Sequence, residues 1–553
     1  VNNINLGALK NLVRDVVLAT LATLVFALEL TGQLGIWPLV VGIAVVLVAW
    51  RFGRFQSLPT NAVLGAAFAV GAPKGDQVWL TAVTAALVVG ASLLEAGMRY
   101  QIRSRSGTSI QAERLPGFHS VGYIDQTFTF DVTTLGLLVF GLAGILQLPM
   151  LPVMLVILLG FAGALGVIGW GMWRWPPSRI EANYRKAVTS YDPKFLVYFS
   201  APIDSEYQIL MWLPVFERVG LRYLIVIRER NMYDIVANAT TAPVVLCPTL
   251  ASVDAVMEGS ASAVFYVNNS MKNSQGVRFA DKIHVQILHG ESDKPPSYNP
   301  VTAMFDEVYV AGQGGIDRYA QHGVDIPREK FRIVGRPQVE KVLHSTEAIT
   351  TKTAPVILYA PTWQGFYEDT SLTSLPWAVE VVQALLDLGA RVIFRPHPYS
   401  FKHAPSLRQI SDVNQVLAKA NAAGGEHLYG EKATAMSLFD SFNAVDGLVT
   451  DVSSVSADFL FSGKPFAVVD VGDPSADPLE EYPMMRAGYL LRPQIESPAA
   501  ALTQMLRSDP MQEIRNELRI YYLGDLPAQT YAEVFLEQVR QTVADGEARR
   551  RAL

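Results

Sequence analysis

Six apolar stretches fill the first third of the chain: Val16–Leu30, Trp37–Phe52, Ala62–Ala72, Val78–Met98, Val132–Leu148 and Met150–Trp173. A helix that crosses a bilayer takes about 17–25 mostly apolar residues. The fourth and sixth stretches have that length, and the first and fifth reach it with their flanks. The third, between Pro59 and Pro73, reads as a short tilted or re-entrant segment. The pattern predicts an α-helical membrane domain of six helices over residues 1–176. A cleavable signal peptide is a poorer account of the start, because further apolar stretches follow at once.

Beyond Pro176-Pro177 the pattern changes. Short β-branched runs alternate with amphipathic ones: Phe195–Phe199, Tyr223–Ile227, Val264–Tyr266, Val285–Leu288, Glu307–Val310 and Arg332–Val334. After a Thr/Lys-rich break at Ser345–Ala354 come Val356–Tyr359, Arg391–Phe394, Gly447–Val449 and Phe466–Val469. Helical patterns lie between them, such as Pro376–Leu388 before Gly389 and Val455–Phe461 before Gly463. Such alternation predicts parallel sheets with helices on both faces. It divides the rest into a linker at 177–192, α/β domains at 193–345 and 346–545 around a central cleft, and a basic tail at 546–553.

Charge supports the division. The 553 residues are 17% charged, where about 25% is usual. Up to Pro176 there are 10 Lys and Arg against 7 Asp and Glu; after it, 35 against 44. Basic residues follow alternate apolar stretches: Lys10 and Arg14 before the first, Arg51 and Arg54, then Arg99, Arg103, Arg105 and Arg114, then Arg174, Arg179, Arg185 and Lys186. The positive-inside rule then places both ends of the chain in the cytoplasm, on a multi-pass plasma-membrane protein. Glu29, Glu95 and Asp131 fall near span ends, where an interfacial position and a substrate path are both open readings. The loop Arg99–Arg114 with Leu115–His119 reads either as a topology determinant or as a surface for anionic headgroups. No basic stripe marks the acidic remainder, which argues against nucleic acid as a partner. Cys247 stands alone, so there is no intrachain disulfide and no cysteine-clustered metal site.

Open α/β sheets bind ligands beyond the carboxyl ends of their strands, and four strand ends here carry chemistry. His289-Gly290-Glu291-Ser292-Asp293-Lys294 follows one; His289 reads as a turn histidine or as a general base. Thr362 and Trp363 follow the next, Trp363 either packing in the turn or lining a pocket. Arg395-Pro396-His397-Pro398 presents guanidinium and imidazole on a rigid loop, a natural grip for diphosphate. Thr450-Asp451-Val452-Ser453-Ser454 opens a helix, so its serines read as caps or as phosphate ligands. Asp451 would weaken anion binding there unless it turns away or takes ribose or a cation. The chain lacks G-x-x-x-x-G-K-[ST], an early G-x-G-x-x-G and H-E-x-x-H. Glycines at Gly312–Gly315 are a weak signal. The groups suit displacement at a phosphorus of an anionic nucleotide-linked donor.

In order and spacing, these four segments resemble the CDP-glycerol glycerophosphotransferase family, the teichoic acid primases and polymerases, over about Phe195 to Leu506. The resemblance implies a GT-B fold, two Rossmann-like domains with the acceptor on the first and the nucleotide donor on the second. It implies transfer of glycerol phosphate from CDP-glycerol to a hydroxyl of a polyprenyl- or lipid-linked acceptor, releasing CMP. His289 would be the base, with His397 catalytic beside it. Arg395, Ser453, Ser454, Thr362 and Asp451 would face the donor, and Lys294, Glu291, Trp363 and Arg336 the acceptor or pocket. The family usually has Thr at Glu291, Pro at Ser292 and aromatics at Val452 and Ala457, departures that leave CDP-ribitol or another CDP-polyol open as the donor beside CDP-glycerol. Glu291 beside His289 would raise its pKa and hold its tautomer, or repel a phosphate. No cofactor is called for beyond a Mg²⁺ carried by donor phosphates. The alternatives are a GT-B glycosyltransferase using a nucleotide sugar, and a membrane sensor or transporter with a nucleotide-binding domain.

Overall fold

The computed structural model describes residues 6–51, 58–72, 78–108, 110–118, 132–174, 177–345, 347–365, 372–473 and 475–553. They fall into two units, Val1–Gln111 with His119–Tyr184, and Ala112–Phe118 with Arg185–Leu553.

Six helices of the first unit occupy the six apolar stretches: α1 (Leu6–Thr31), α2 (Trp37–Arg51), α3 (Leu58–Gly71), α4 (Val78–Thr108), α5 (Val132–Ile145) and α6 (Met150–Arg174). Phe68 is their central side chain. It fits because Gly42 and Gly141 leave room: a Cβ on either would stand 2.6 or 3.0 Å from its ring. Phe140 meets it edge-on at 6.4 Å. Large apolar side chains such as Trp37, Trp79 and Leu159 point outward. Among the described residues no helix is long and apolar enough to cross a membrane. Helices α1, α4 and α6 run on into positions whose side chains lie outside the described set. Outside it too lie Arg54, His119 and Asp131, and the side chains of Lys10, Arg14, Arg51, Glu95, Arg99, Arg103, Arg105 and Arg174. Arg114 is described, and its guanidinium is taken up by backbone carbonyls of the protein. Its guanidinium donates to Ala237 O at 2.5 Å and Ala242 O at 3.2 Å, and Leu115 and Phe118 beside it are buried.

The second unit holds two sheets. The first contains β1 (Gln111–Glu113), β2 (Phe195–Phe199), β3 (Tyr223–Ile227), β4 (Val244–Leu246), β5 (Ala263–Tyr266), β6 (Ile283–Gln286), β7 (Glu307–Val310) and β8 (Phe331–Ile333), in the order β1-β4-β3-β2-β5-β6-β7-β8. Strands β2 to β8 pair in parallel. The second sheet, β9 (Val356–Ala360), β10 (Arg391–Phe394), β11 (Gly447–Asp451), β12 (Phe466–Val469) and β13 (Tyr489–Leu491), is parallel in the order β10-β9-β11-β12-β13. Every residue of β2 and β11 is buried, as expected of strands covered on both faces. Strand β6 ends at Gln286, two residues before the run Val285–Leu288 does, because Leu288 turns left-handed at φ 51° and sends His289 off the sheet.

Two boundaries differ from the sequence reading. The expected linker at 177–192 is a helix, Pro177–Tyr191. The expected basic tail is the end of another helix, Tyr531–Ala552. That helix packs Phe535, Leu536, Val539 and Val543 into the core of the first sheet, although it follows the second. Its Thr542 Oγ1 lies 2.7 Å from both Tyr309 Oη and Glu307 Oε2. Arg549 and Arg550 donate to Lys282 O and Ser260 O instead of hanging free. Gly546 is the point of closest approach, since a Cβ there would sit 2.3 Å from Ser262 O. Gly546→Ala is therefore expected to lower stability by about 1–3 kcal/mol, read as a lower urea midpoint.

Candidate active site

The strand orders locate the crevices. The strand order of the second sheet reverses between β9 and β11, and that of the first between β2 and β5. At such switch points the loops part and leave room for a ligand. Thr362 and Trp363 follow β9, Asp451 to Ser454 close β11, and Val267 follows β5.

His289 leans over the first of these crevices. Its Nδ1 lies 3.3 Å from Val267 O. A carbonyl can only accept, so Nδ1 carries the proton and Nε2 keeps its lone pair. Burial lowers the imidazole pKa to about 4; the Val267 bond opposes the shift and Arg336 adds to it. The ring of Tyr207 meets it edge-on at 5.7 Å. Lys294, from the same loop, has its pKa lowered by burial and supported by Asp451 across the cleft.

Glu291 does not do what its position suggested. Its carboxylate accepts from Arg318 Nη1 at 3.0 Å and from Ala311 N–H at 3.3 Å, and the pKa of His289 falls instead of rising. Arg318 also holds Asp293 at 3.3 Å, and Asp293 accepts from Met484 N–H of the second lobe at 2.9 Å. The two acids thus anchor the His289 loop.

The second lobe supplies the matching half. Backbone N–H groups of Arg395 and His397 donate to Tyr359 O and Pro361 O at 2.9 and 3.1 Å, which fastens the Arg-Pro-His-Pro loop to the end of β9. His397 Nδ1 accepts from Tyr399 N–H at 3.2 Å. With Nδ1 occupied as an acceptor, the neutral ring carries its proton on Nε2. Burial lowers its pKa to about 4, and Lys294 and Arg395 add to the effect. Trp363 stacks at 6.2 Å on His397 and meets Tyr399 edge-on at 5.1 Å. Among the described residues Arg395 donates to Ala433 O and Thr434 O, both at 3.3 Å, and burial lowers its pKa.

Asp451 is wholly buried below this loop, which corrects the expectation that it faces the donor. Oδ2 accepts from Thr362 N–H at 2.6 Å and Ser374 N–H at 3.1 Å. Burial pushes its pKa up to about 7, against those hydrogen bonds and Lys294. It orders Thr362 and presents no charge to solvent. Ser453 Oγ accepts from Val455 N–H at 3.3 Å at the start of the helix Ser454–Leu460. Ser454 lies directly across from the His289 loop: a Cβ on Gly290 would stand 3.2 Å from its Cβ. Arg336 is likewise internal. It forms a buried two-pronged ion pair with Asp458, one bond at 3.0 Å, and reaches His289 O at 3.5 Å.

The arrangement brings His289, Lys294, Trp363, Arg395, His397, Ser453 and Ser454 together, and assigns Glu291, Arg336 and Asp451 to holding them. Among the described residues Lys294 and Arg395 make no ion pair with a carboxylate within 4 Å, so these loops carry two cations, an imidazole of His397 that can donate and an imidazole of His289 whose Nε2 keeps its lone pair. That set suits an anion beside a hydroxyl that must lose a proton. Among the described residues no group of three His, Cys, Asp or Glu could hold a metal ion. Sequence reasoning missed Tyr207, Tyr399 and Arg318. Tyr399 had a signal, two residues past His397 on a proline-fixed loop; the others act from distant segments.

Residues 305–485 match the family model described as CDP-Glycerol:Poly(glycerophosphate) glycerophosphotransferase. The match supports a transferase. The segment spans Arg336 to Asp458 and stops short of the His289–Lys294 loop. No curated protein matches the chain in sequence. Among solved structures the chain is similar to the wall teichoic acid polymerase TagF, at 12% identity over 70% of this chain and 98% of that one, TM-score 0.41. It is similar to Anabaena Alr3699/HepE in complex with UDP and glucose, at 12% over 63% and 99%, TM-score 0.38. A glycosyltransferase from Rickettsia africae gives 10% over 64% and 98%, TM-score 0.39. Likenesses this low decide nothing about activity.

Cutting one partner from the buried Arg336–Asp458 pair strands the other charge, at about 3–5 kcal/mol. Asp458→Ala is expected to lose that much in denaturant unfolding. A loss below about 1 kcal/mol would show that the pair is not buried as described.

Proposed function

We propose that this protein moves glycerol phosphate, or another polyol phosphate, from CDP-glycerol to a hydroxyl of a lipid-linked or polymer acceptor in cell-wall polymer synthesis. The observation that carries the reading is the opposite protonation of the two histidines around Lys294 and Arg395. His289 Nε2 takes the proton of the acceptor hydroxyl. The oxygen forms a bond to the glycerol-bearing phosphorus, and the bond from that phosphorus to the CMP oxygen breaks. The electron pair leaves with CMP, whose charge meets Lys294, Arg395 and the Nε2–H of His397. Because a phosphate monoester has a second pKa near 6, CMP departs without needing a proton. Positioning and charge stabilisation supply most of the acceleration in such transfers.

On this reading the donor side is the second sheet with Thr362, Ser453 and Ser454, and the acceptor side is the first. The outward apolar side chains of α1, α2, α4, α5 and α6 and the basic flanks of the apolar stretches support a multi-pass plasma-membrane location with both ends cytoplasmic. Nucleotide donors are made there, and a lipid-linked acceptor would lie in the same leaflet.

CDP-glycerol at 100 times its Kd is expected to stabilise the full-length protein by about 2.7 kcal/mol in thermal unfolding. CMP release in membranes containing acceptor is expected to fall about 10²- to 10⁴-fold in His289→Gln, with CDP-glycerol binding retained. Stabilisation by UDP-sugars and not by CDP-polyols would replace this reading with a glycosyltransferase.

A further inference from the structure

Among the described residues of the second unit, two of the exposed large apolar side chains are aromatic: Tyr207, 46% exposed, and Phe401, 41% exposed. Each lies near one of the two histidines. Tyr207 sets its ring against that of His289 at 5.7 Å. Phe401 belongs to the turn Pro398–Lys402 that His397 opens. Asp204, three residues before Tyr207, reaches Lys402 at 2.6 Å, so the two loops meet. An aromatic ring left half in water forgoes the free energy of burial, and such surface beside a reactive group marks a place that a ligand covers.

The backbone that carries Tyr207 is held in place. Gln208 Oε1 accepts from Asn268 Nδ2 at 2.9 Å, and Ile209 is buried in the core of the first sheet. Trp212 Nε1 donates to Leu288 O at 2.7 Å, which ties this segment to the residue before His289. The planes of the tyrosine and imidazole rings stand 82° apart, so the two form a corner. His289 itself is half-buried. A molecule that uses this corner must bring an apolar face for the tyrosine and, at its edge, a hydroxyl for Nε2.

We propose that Tyr207 is the platform for the acceptor and that it stacks a sugar ring, one of whose rim hydroxyls reaches His289. A pyranose presents a patch of C–H groups on its face, which the electron-rich face of an aromatic ring attracts, and carries its hydroxyls around the rim. An open-chain polyol turns hydroxyls to every side and has no such flat face. The same electron-rich ring face repels a phosphate, which leaves the diphosphate of the donor to Lys294 and Arg395. This rests on the transferase reading above and names the chemical class of acceptor that the first lobe recognises.

The test uses the full-length protein with glycerol and a panel of methyl pyranosides (gluco, galacto, manno and their N-acetylated 2-amino forms) as probe acceptors. With CDP-glycerol as donor, at least one pyranoside is expected to show a lower KM than glycerol. Tyr207→Ala is expected to raise that KM about 5- to 10-fold more than it raises the KM of glycerol, the scale of covering half a tyrosine ring. Tyr207→Phe, which keeps the ring, should rescue it. Equal losses for glycerol and pyranoside would mark a structural role and overturn the proposal. So would a panel in which no pyranoside surpasses glycerol, or a matching rise in donor KM, which would put the base of the donor on the ring. A second arm needs no donor. The pyranoside titrated into wild type should shift the His289 imidazole resonances, and Tyr207→Ala should abolish the shift. No shift with any pyranoside sinks the sugar platform even if CMP release is intact. A shift without turnover of any CDP-polyol sinks the donor reading and upholds the platform.

Discussion

Two hydrogen bonds to imidazole Nδ1 atoms set what this cleft can do. One is given to the carbonyl of Val267 and the other is received from the amide of Tyr399. A backbone carbonyl and a backbone amide cannot exchange roles, so each ring is held in one tautomer as long as its loop stays in place. Burial keeps both rings neutral in the range where free histidine takes up a proton. With native values below the ordinary 6.5, the unfolded chain binds these protons first. Their effect is to cost stability as pH falls from 6.5 toward 4. Asp451 works the other way, because its raised value makes ionisation the unfavourable state and relieves that cost as pH falls below 7.

Holding such loops opposite one another takes contacts between the lobes. Arg336 and Asp458 join the end of the first sheet to the helix that begins at Ser454, and the same guanidinium reaches the carbonyl of His289. Asp293 adds a bond to Met484 N–H, and the last helix returns from the second lobe to complete the core of the first. Buried ion pairs of this kind contribute little net stability, because desolvation offsets their attraction. Their effect is geometric. These contacts hold loops in which two cations have no carboxylate partner among the described residues and two histidines keep opposite tautomers.

Much of this was legible in the residue pattern. Strands β2, β3, β7, β10 and β12 keep the bounds of their β-branched runs, and the four segments do follow strand ends. The pattern failed where the cause is remote. Strands β4 and β13 have three residues each and give no run to read. Glu291 was assigned to its neighbour in sequence, but its partner Arg318 lies 27 residues on. Asp451 looked like an anion-site residue until the amides of Thr362 and Ser374 claimed it. Arg114 and Arg549, read as surface charge, are bound to backbone carbonyls brought up by tertiary packing.

The most direct measurement is the protonation of the two rings themselves, by nitrogen-detected NMR of histidine-labelled full-length protein at pH 6.5. The account predicts two neutral rings of opposite tautomer, His289 protonated on Nδ1 and His397 on Nε2, each assigned by its Gln variant. Two rings of the same tautomer, or either ring mainly protonated at that pH, would contradict it.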